Sequence, residues 1–237
     1  MRWAQITDTG LSRKDNEDSL LVSPDMGLLA VADGMGGHQG GEVASGLALQ
    51  TLEKELARSL KKGESPEKAL LDSVRLANIA VFELSGRNKE LHGMGTTITA
   101  CLKREDDLII AHVGDSRAYL ICRGSIRQLT QDHSLVQELL RNGGISEEQA
   151  LQHPQRNLLT RALGTEQSVE VDHYRYKVVA NDLLLLCTDG LTRYLRQEDL
   201  LYIINSSKDI DAAVHVLLDK ALHYGGADNI TIILAQF

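Results

Sequence analysis

The sequence predicts an α+β fold in which sheets are covered by helices, and three observations carry that prediction. Strand-like runs cluster and follow one another through short polar turns such as Lys103-Arg104-Glu105-Asp106, the pattern of antiparallel hairpins. The amphipathic helices come in pairs instead of alternating with strands, which argues against a doubly wound parallel sheet. No Gly/Ser or charge tract divides the chain, and its three prolines (Pro24, Pro66 and Pro154) are scattered. At 237 residues the chain is long for one domain by a prior of roughly 150 residues each, yet it reads as a single domain over 1–237.

Taken in order, Leu20-Leu21-Val22 and residues 27–32 read as the first strands. A helix follows on Val43, Leu47, Leu52, Leu56 and Leu60, and a second on Leu70, Val74, Ala77, Val81 and Leu84, spaced by four and three. Ser65-Pro66 opens the second helix as its N-cap and first helical residue. Strands are then expected over 95–102, 107–113, 116–122, 169–179, 182–187 and 229–235. Between them, 130–164 reads as a polar, helical insertion lying over a surface instead of contributing to the core. A last helix carries Ile210, Val214, Leu217 and Ala221.

Composition narrows the function. With 43% hydrophobic, 24% charged and 4% aromatic residues the chain is an ordinary globular one, and disorder, collagen-like repeats and a disulfide mini-scaffold are excluded. A net charge of −8 gives no overall field for nucleic acid or anionic lipid. Cys101, Cys122 and Cys187 are odd in number and far apart, with no Cys-x-x-Cys pair, so neither a zinc site nor a disulfide framework is suggested. The first residues hold no apolar signal core, and the longest apolar run falls far short of the ~20 residues of a membrane helix. A cytoplasmic protein with no membrane and no nucleic-acid partner is expected, monomeric because no exposed apolar face stands out.

The informative feature is where the acids fall. Leu28-Leu29-Ala30-Val31-Ala32 runs into Asp33-Gly34, Ile109-Ile110-Ala111-His112-Val113 into Gly114-Asp115, and Leu184-Leu185-Leu186-Cys187-Thr188 into Asp189-Gly190. Asp228-Asn229 precedes Ile230-Thr231-Ile232, and Asn16-Glu17-Asp18 precedes Leu20-Leu21-Val22. One Asp-Gly is turn chemistry. Five carboxylates at strand mouths would repel one another unless a cation sat among them. Acids without His or Cys companions suit Mg²⁺, Mn²⁺ or Ca²⁺, and no Asp-x-Asp-x-Asp-Gly loop marks an EF-hand. Such acids can hold two ions and a bridging hydroxide, a device for hydrolysing phosphate esters. Arg13 is the nearest fixed cation for a substrate phosphate.

In the order Arg13-Lys14-Asp15-Asn16-Glu17-Asp18, Val31-Ala32-Asp33-Gly34-Met35-Gly36-Gly37, Gly95-Thr96-Thr97, Gly114-Asp115-Ser116-Arg117, Cys187-Thr188-Asp189-Gly190-Leu191 and Asp228-Asn229-Ile230-Thr231, the sequence resembles the metal-dependent serine/threonine phosphatases of the protein phosphatase 2C family, particularly compact bacterial members. The resemblance runs from about Gln5 onward and makes 130–164 similar to the family's flap. It implies a four-layer αββα sandwich of two antiparallel β-sheets flanked by helix pairs. It implies that Asp33 bridges two Mn²⁺ or Mg²⁺ ions with the Gly34 carbonyl on one, that Asp189 and Asp228 complete the other, and that Glu17 and Asp18 act largely through bound waters. Arg13 would hold phosphate, and Asp115 with Asp189 a weaker third ion. Water activated by metal would attack in line, without a phosphoenzyme. The implied partners are phosphorylated proteins, including a serine/threonine kinase and its substrates.

Two departures stand out. Met35 replaces the histidine of animal members, as in bacterial ones, leaving His38 as the proton donor to the leaving group. Arg193-Tyr194 stands where a small or acidic residue is usual after Asp-Gly-Leu-Thr.

Three rivals compete. Cys187 to Arg193 satisfies Cys-x5-Arg, the phosphate loop of cysteine phosphatases, although Leu186 replaces the usual preceding histidine. The glycine run Gly34 to Gly41 misses both Gly-x-Gly-x-x-Gly and the P-loop. A catalytically dead regulatory module would be expected to lack metal-binding acids, whereas Asp33, Asp189 and Asp228 are all present.

Overall fold

The computed structural model describes residues 1–36 and 40–237. In chain order the elements are β1 (Arg2–Asp8), β2 (Asp18–Ser23), β3 (Leu28–Met35), α1 (Gly40–Lys61), α2 (Pro66–Arg87), β4 (Gly95–Thr96), β5 (Ile98–Arg104), β6 (Asp107–Val113), β7 (Arg117–Cys122), β8 (Ser125–Gln128), α3 (Leu135–Arg141), α4 (Glu147–Leu151), β9 (Asp172–Lys177), β10 (Leu183–Cys187), α5 (Asp189–Thr192), α6 (Gln197–Ser206), α7 (Ile210–His223) and β11 (Ile230–Gln236). Among the described residues they form two antiparallel sheets, ordered β2-β3-β5-β6-β9, with β4 paired to β3, and β1-β11-β10-β7-β8.

Period-2 alternation builds the layers. On β3, Leu28, Ala30 and Ala32 face α1 and α2, together with Ile98, Ala100 and Leu102 of β5 and Ile109, Ala111 and Val113 of β6. The intervening Leu29, Val31, Cys101, Leu108 and Ile110 point the other way, against Leu120, Leu184, Leu186, Ile233 and Ala235 of the second sheet. That sheet's outer face, through Tyr119, Ile121, Leu185, Cys187, Ile232 and Leu234, receives α6 and α7. Three apolar layers between four layers of structure give the αββα sandwich. Strands buried on both faces need near-continuous apolar runs, and β10 (Leu183–Cys187) and β11 (Ile230–Gln236) have them.

The helices differ from expectation in phase. On α1, Leu52 and Leu56 are fully buried, but Val43, Leu47 and Leu60 only flank the core, which is reached instead by Ala44, Ala48 and Leu49. Small alanines on helix and sheet meet there, so the buried stripe runs one residue later than the large side chains suggest. On α2, Leu70, Val74, Ala77 and Val81 are buried while Leu84 flanks; Ser65 caps by its extended backbone, without a side-chain bond. All four expected residues of α7 are buried, and the Asp209 side chain accepts from the Ala212 amide at 2.8 Å to cap it.

Residues 130–164 are less helical and less superficial than expected. Only α3 and α4 are helical there, and Thr130, Asp132, His133, Ser134, Ala162 and Leu163 are buried. Leu163 bridges to Thr96, and Ser134 to Leu159. The second bridge closes the segment on itself, while Leu163 at Thr96 and the Gln131 carbonyl, 3.0 Å from His112 Nε2 of β6, hold its two ends to the first sheet. No helix among the described residues is long and apolar enough to cross a membrane.

Leu52→Ala opens a cavity at a fully buried site and should cost about 3 kcal/mol, whereas Leu60→Ala should cost distinctly less. Urea unfolding midpoints of the two variants check the order.

Candidate metal centre

The acids at the strand mouths converge on the seam between the two sheets. Asp18 opens β2 and lies directly across the ladder from Asp33, near the end of β3. Asp115 follows β6, Asp189 opens α5 immediately after β10, and Asp228 stands two residues before β11. Asp33, Asp115, Asp189 and Asp228 line one cavity of about 580 Å³ with Arg13, Glu17, Gly34, Thr97 and Arg193 on this side and residues 157–162 on the other. Asp18 lies behind them, buried.

Each acid is aimed by neighbours that the sequence reading quoted within motifs but gave no task. The Asp33 amide donates to Thr97 Oγ1 at 2.9 Å, while its carbonyl accepts from the Thr97 amide and from Thr96 Oγ1, both at 2.9 Å. Thr97 Oγ1 also meets Ser116 Oγ at 2.8 Å, which fixes the turn carrying Asp115. Gly114 in that turn has φ +112, and a Cβ there would strike Thr97, so the Gly-Asp-Ser and Gly-Thr-Thr motifs are two halves of one contact. Thr188 Oγ1 donates to Asp18 Oδ2 at 2.8 Å and accepts from the Thr231 amide at 3.0 Å. Asn229 is the widest tie: its Nδ2 donates to the Thr9 and Asp15 carbonyls, both at 3.0 Å, and its Oδ1 accepts from the Glu17 amide at 2.8 Å. It fastens the loop of Arg13 and Glu17 to the start of β11. At Gly190 a Cβ would collide with the Asn229 carbonyl oxygen, so the two Asp-bearing turns touch backbone to backbone. The available signal was proximity in sequence for Ser116, Thr188 and Asn229, each adjacent to a site acid, whereas Thr96, Thr97 and Thr231 carry no such mark and are recruited by the fold.

Crowding dominates the electrostatics. Burial first, then the charges of Asp18, Asp189 and Asp115, push the Asp33 carboxyl well above its ordinary range. Burial raises Asp18 to about 7, against hydrogen bonds from Thr231 and Thr188 that favour its charge. Asp115 is raised well above its usual value, and Asp189 is raised too, by burial before all else, with Arg193 pulling Asp189 back. Burial also raises Glu17, which Arg13 counters. Asp33, Asp115 and Asp189 still show one face to the cavity; the dense protein on every other side makes desolvation the leading cause.

The donor set fits a hard divalent cation. Asp18 Oδ1 and Asp189 Oδ1 are buried without a hydrogen-bond partner, and all the candidate donors are oxygen. No group of three acidic, histidine or cysteine side chains among the described residues already forms a closed cage. Two guanidiniums lean on the acids instead: Arg13 Nη2 lies 2.9 Å from Asp228 Oδ1, and Arg193 lies 3.1 Å from Asp189 Oδ2 and 3.4 Å from Asp228 Oδ2.

Arg13, expected to hold phosphate, stands at the rim of the cavity, half exposed and paired with Asp228. Met35 lines the cavity. His38, expected as proton donor, lies outside the described residues. The cysteine rival fails on geometry. Cys187 is fully buried among the α6/α7 core residues, burial pushes its thiol to about 12, and Arg193 is engaged by two carboxylates. On the facing wall, Arg161 Nη1 is held by Asp172 Oδ1 at 2.7 Å, and His133 Nδ1 accepts from the Gly114 amide at 3.1 Å, which ties the 130–164 segment to the Asp115 turn.

A sequence model for the family described as protein phosphatase 2C matches residues 8–222. The chain is 42% identical over 236 residues to the serine/threonine phosphatase stp of Listeria monocytogenes, covering 97% of this chain and 93% of that one. Its structure superimposes on that of the Mycobacterium tuberculosis serine/threonine phosphatase PstP/Ppp with a TM-score of 0.92 at 39% identity, over 100% of this chain and 98% of that one. The catalytic domain of PstP in complex with two manganese ions matches with a TM-score of 0.87 at 36% identity, over 99% and 97% of the two chains.

Replacing Asn229 by Ala removes three hydrogen bonds at once and should destabilise the fold by roughly 3 kcal/mol at about 1 kcal/mol per bond. Hydrogen exchange should show the 9–17 loop deprotected well before β11, the order expected if Asn229 is its tether.

Proposed function

Because the chain belongs to the protein phosphatase 2C family of metal-dependent serine/threonine protein phosphatases, we propose that it cleaves phosphoserine and phosphothreonine monoesters at a centre of two Mn²⁺ or Mg²⁺ ions and reverses a serine/threonine kinase. The observation that carries the two-ion reading is the meeting of Asp33, Asp189 and Asp228 at one seam, with an unpartnered buried oxygen on Asp189 and another on Asp18 behind.

In this reading Asp33, the Gly34 carbonyl, Asp189 and Asp228 would hold the two ions. Glu17 and Asp18 would contribute through water, and Asp115 with Asp189 would take a third, weaker ion. When bound, such ions make a water nucleophilic near neutral pH and stabilise charge on the phosphoryl oxygens. The chain's own residues do the rest. Arg13, about half exposed, can turn one edge of its guanidinium to the phosphate while staying beside Asp228. Thr97, Thr188 and Asn229 keep the acids from swinging apart. Asn157, Leu158 and Arg161 face them across the cavity and meet the peptide carrying the phosphate. His38 supplies a proton to the departing serine or threonine oxygen. The 130–164 segment works as a flap over a single domain that acts as a cytoplasmic monomer.

Hydrolysis of p-nitrophenyl phosphate should vanish with EDTA, return with Mn²⁺ or Mg²⁺, and ignore iodoacetate; activity that survives EDTA and dies with iodoacetate would sink the reading. Asp33→Asn should lower kcat by on the order of a hundredfold or more. Arg13→Ala should act mainly on KM for a phosphopeptide, because it removes a contact to the phosphate rather than the nucleophile. Near-normal turnover of Asp33→Asn with metal bound would be the contrary result.

A further inference from the structure

Arg193 is the charged departure in the site, and the reaction does not use it. It follows Asp189 by four residues at the end of α5, where its amide donates to the Asp189 carbonyl at 2.8 Å. Its guanidinium spans two carboxylates that come from chain segments far apart in sequence, 3.1 Å from Asp189 Oδ2 and 3.4 Å from Asp228 Oδ2. The next residue fixes that reach: Tyr194 Oη accepts from the Ala227 amide at 3.0 Å and packs against Gly225, so the loop leading into Asp228 is bound to the end of α5. Arg13 also touches Asp228, but its side chain is 49% exposed and free to turn outward, whereas that of Arg193 is 18% exposed.

We propose that Arg193 is a built-in counter-ion of the acid cluster, holding Asp189 and Asp228 together before metal binds and thereby setting how tightly the centre takes its divalent ion. The proposal rests on the metal-site reading above. Two effects of a nearby guanidinium oppose each other. It orients the carboxylates, leaving Asp189 Oδ1 unpartnered and available, and this favours binding. It also places a fixed positive charge against the same two groups that receive a divalent cation, and this disfavours binding. The second effect wins here because β10, β11 and the contacts of Asn229 already fix the two acids through their backbones, so little orientation is lost without Arg193, while the repulsion is felt in full. Metal-free stability and metal affinity therefore move in opposite directions.

Mn²⁺ binding by titration calorimetry and metal-free thermal unfolding are to be measured on the wild-type protein, Arg193→Gln and Arg193→Lys. Arg193→Gln should bind Mn²⁺ about tenfold more tightly while its metal-free midpoint falls. Arg193→Lys keeps the charge but reaches one carboxylate, and should bind about threefold more tightly, the factor expected for part of that repulsion; it also reads the effect if the Gln variant does not fold without metal. A Kd unchanged or raised in either folded variant overturns the counter-ion, whatever happens to the midpoint. Absence of Mn²⁺ binding by the wild-type protein would instead overturn the metal centre itself, and the counter-ion with it.

Discussion

The structure is organised around a repulsion. Asp18, Asp33, Asp115, Asp189 and Asp228 are packed against one another in a partly desolvated seam, where a single like-charged pair at ~4 Å is worth about 4 kcal/mol at the effective dielectric of a protein surface. Nothing local could hold such a group. It is held because each acid lies at or within two residues of the end of a strand whose other residues are locked in an apolar layer, so separating the acids would mean sliding a buried strand. The Asp18–Asp33 pairing shows this most directly: the two face each other because Leu20 and Val31, and Leu21 and Ala30, do so further along the same ladder. In the structure that repulsion is met by Arg13 and Arg193, which lie against Asp189 and Asp228, and by carboxyl groups held above their ordinary range.

Much of this was legible in the sequence where the signal was local. Strands β6, β10 and β11 are nearly all apolar and end or begin at an acid, so their limits fell within a residue of expectation. Strand β1, with its mostly exposed and half-buried residues, shows no comparable run, being an edge strand that among the described residues pairs with β11 alone. On α1 the large side chains misled, because the closest helix–sheet approach is made by alanines, which carry little weight in a hydrophobic pattern. The four-residue step from Asp189 to Arg193 is visible on a helix, but its second partner, Asp228, belongs to another segment, and only the fold brings them together. The 130–164 segment read as superficial because it is polar. In fact its polar groups are spent against the body of the protein, Asp132 on Arg117 of β7 at 2.7 Å and His133 on the Gly114 turn.

The same logic explains why threonine and asparagine, not further acids, surround the centre. A hydroxyl can accept from a backbone amide and donate to a carboxylate at once, as Thr188 does between Thr231 and Asp18, which fixes an anion without adding charge. Every additional acid would deepen the repulsion, and every additional lysine or arginine would compete with a divalent cation for the acids.

One feature bears on how the molecule comes into being. Strands β1 and β11 pair from Arg2 with Gln236 to Asp8 with Ile230, so the earliest and latest strands are hydrogen-bonded neighbours. During synthesis Arg13, Glu17, Asp18, Asp33 and Asp115 emerge long before Asp228 and Asn229 exist to restrain them. A nascent chain can build the first sheet with α1 and α2 and still carry no working centre. The cluster is therefore completed only when Asp228, Asn229 and β11 have been made, and a chain cut before Asp228 lacks both one of its acids and the asparagine that tethers the 9–17 loop.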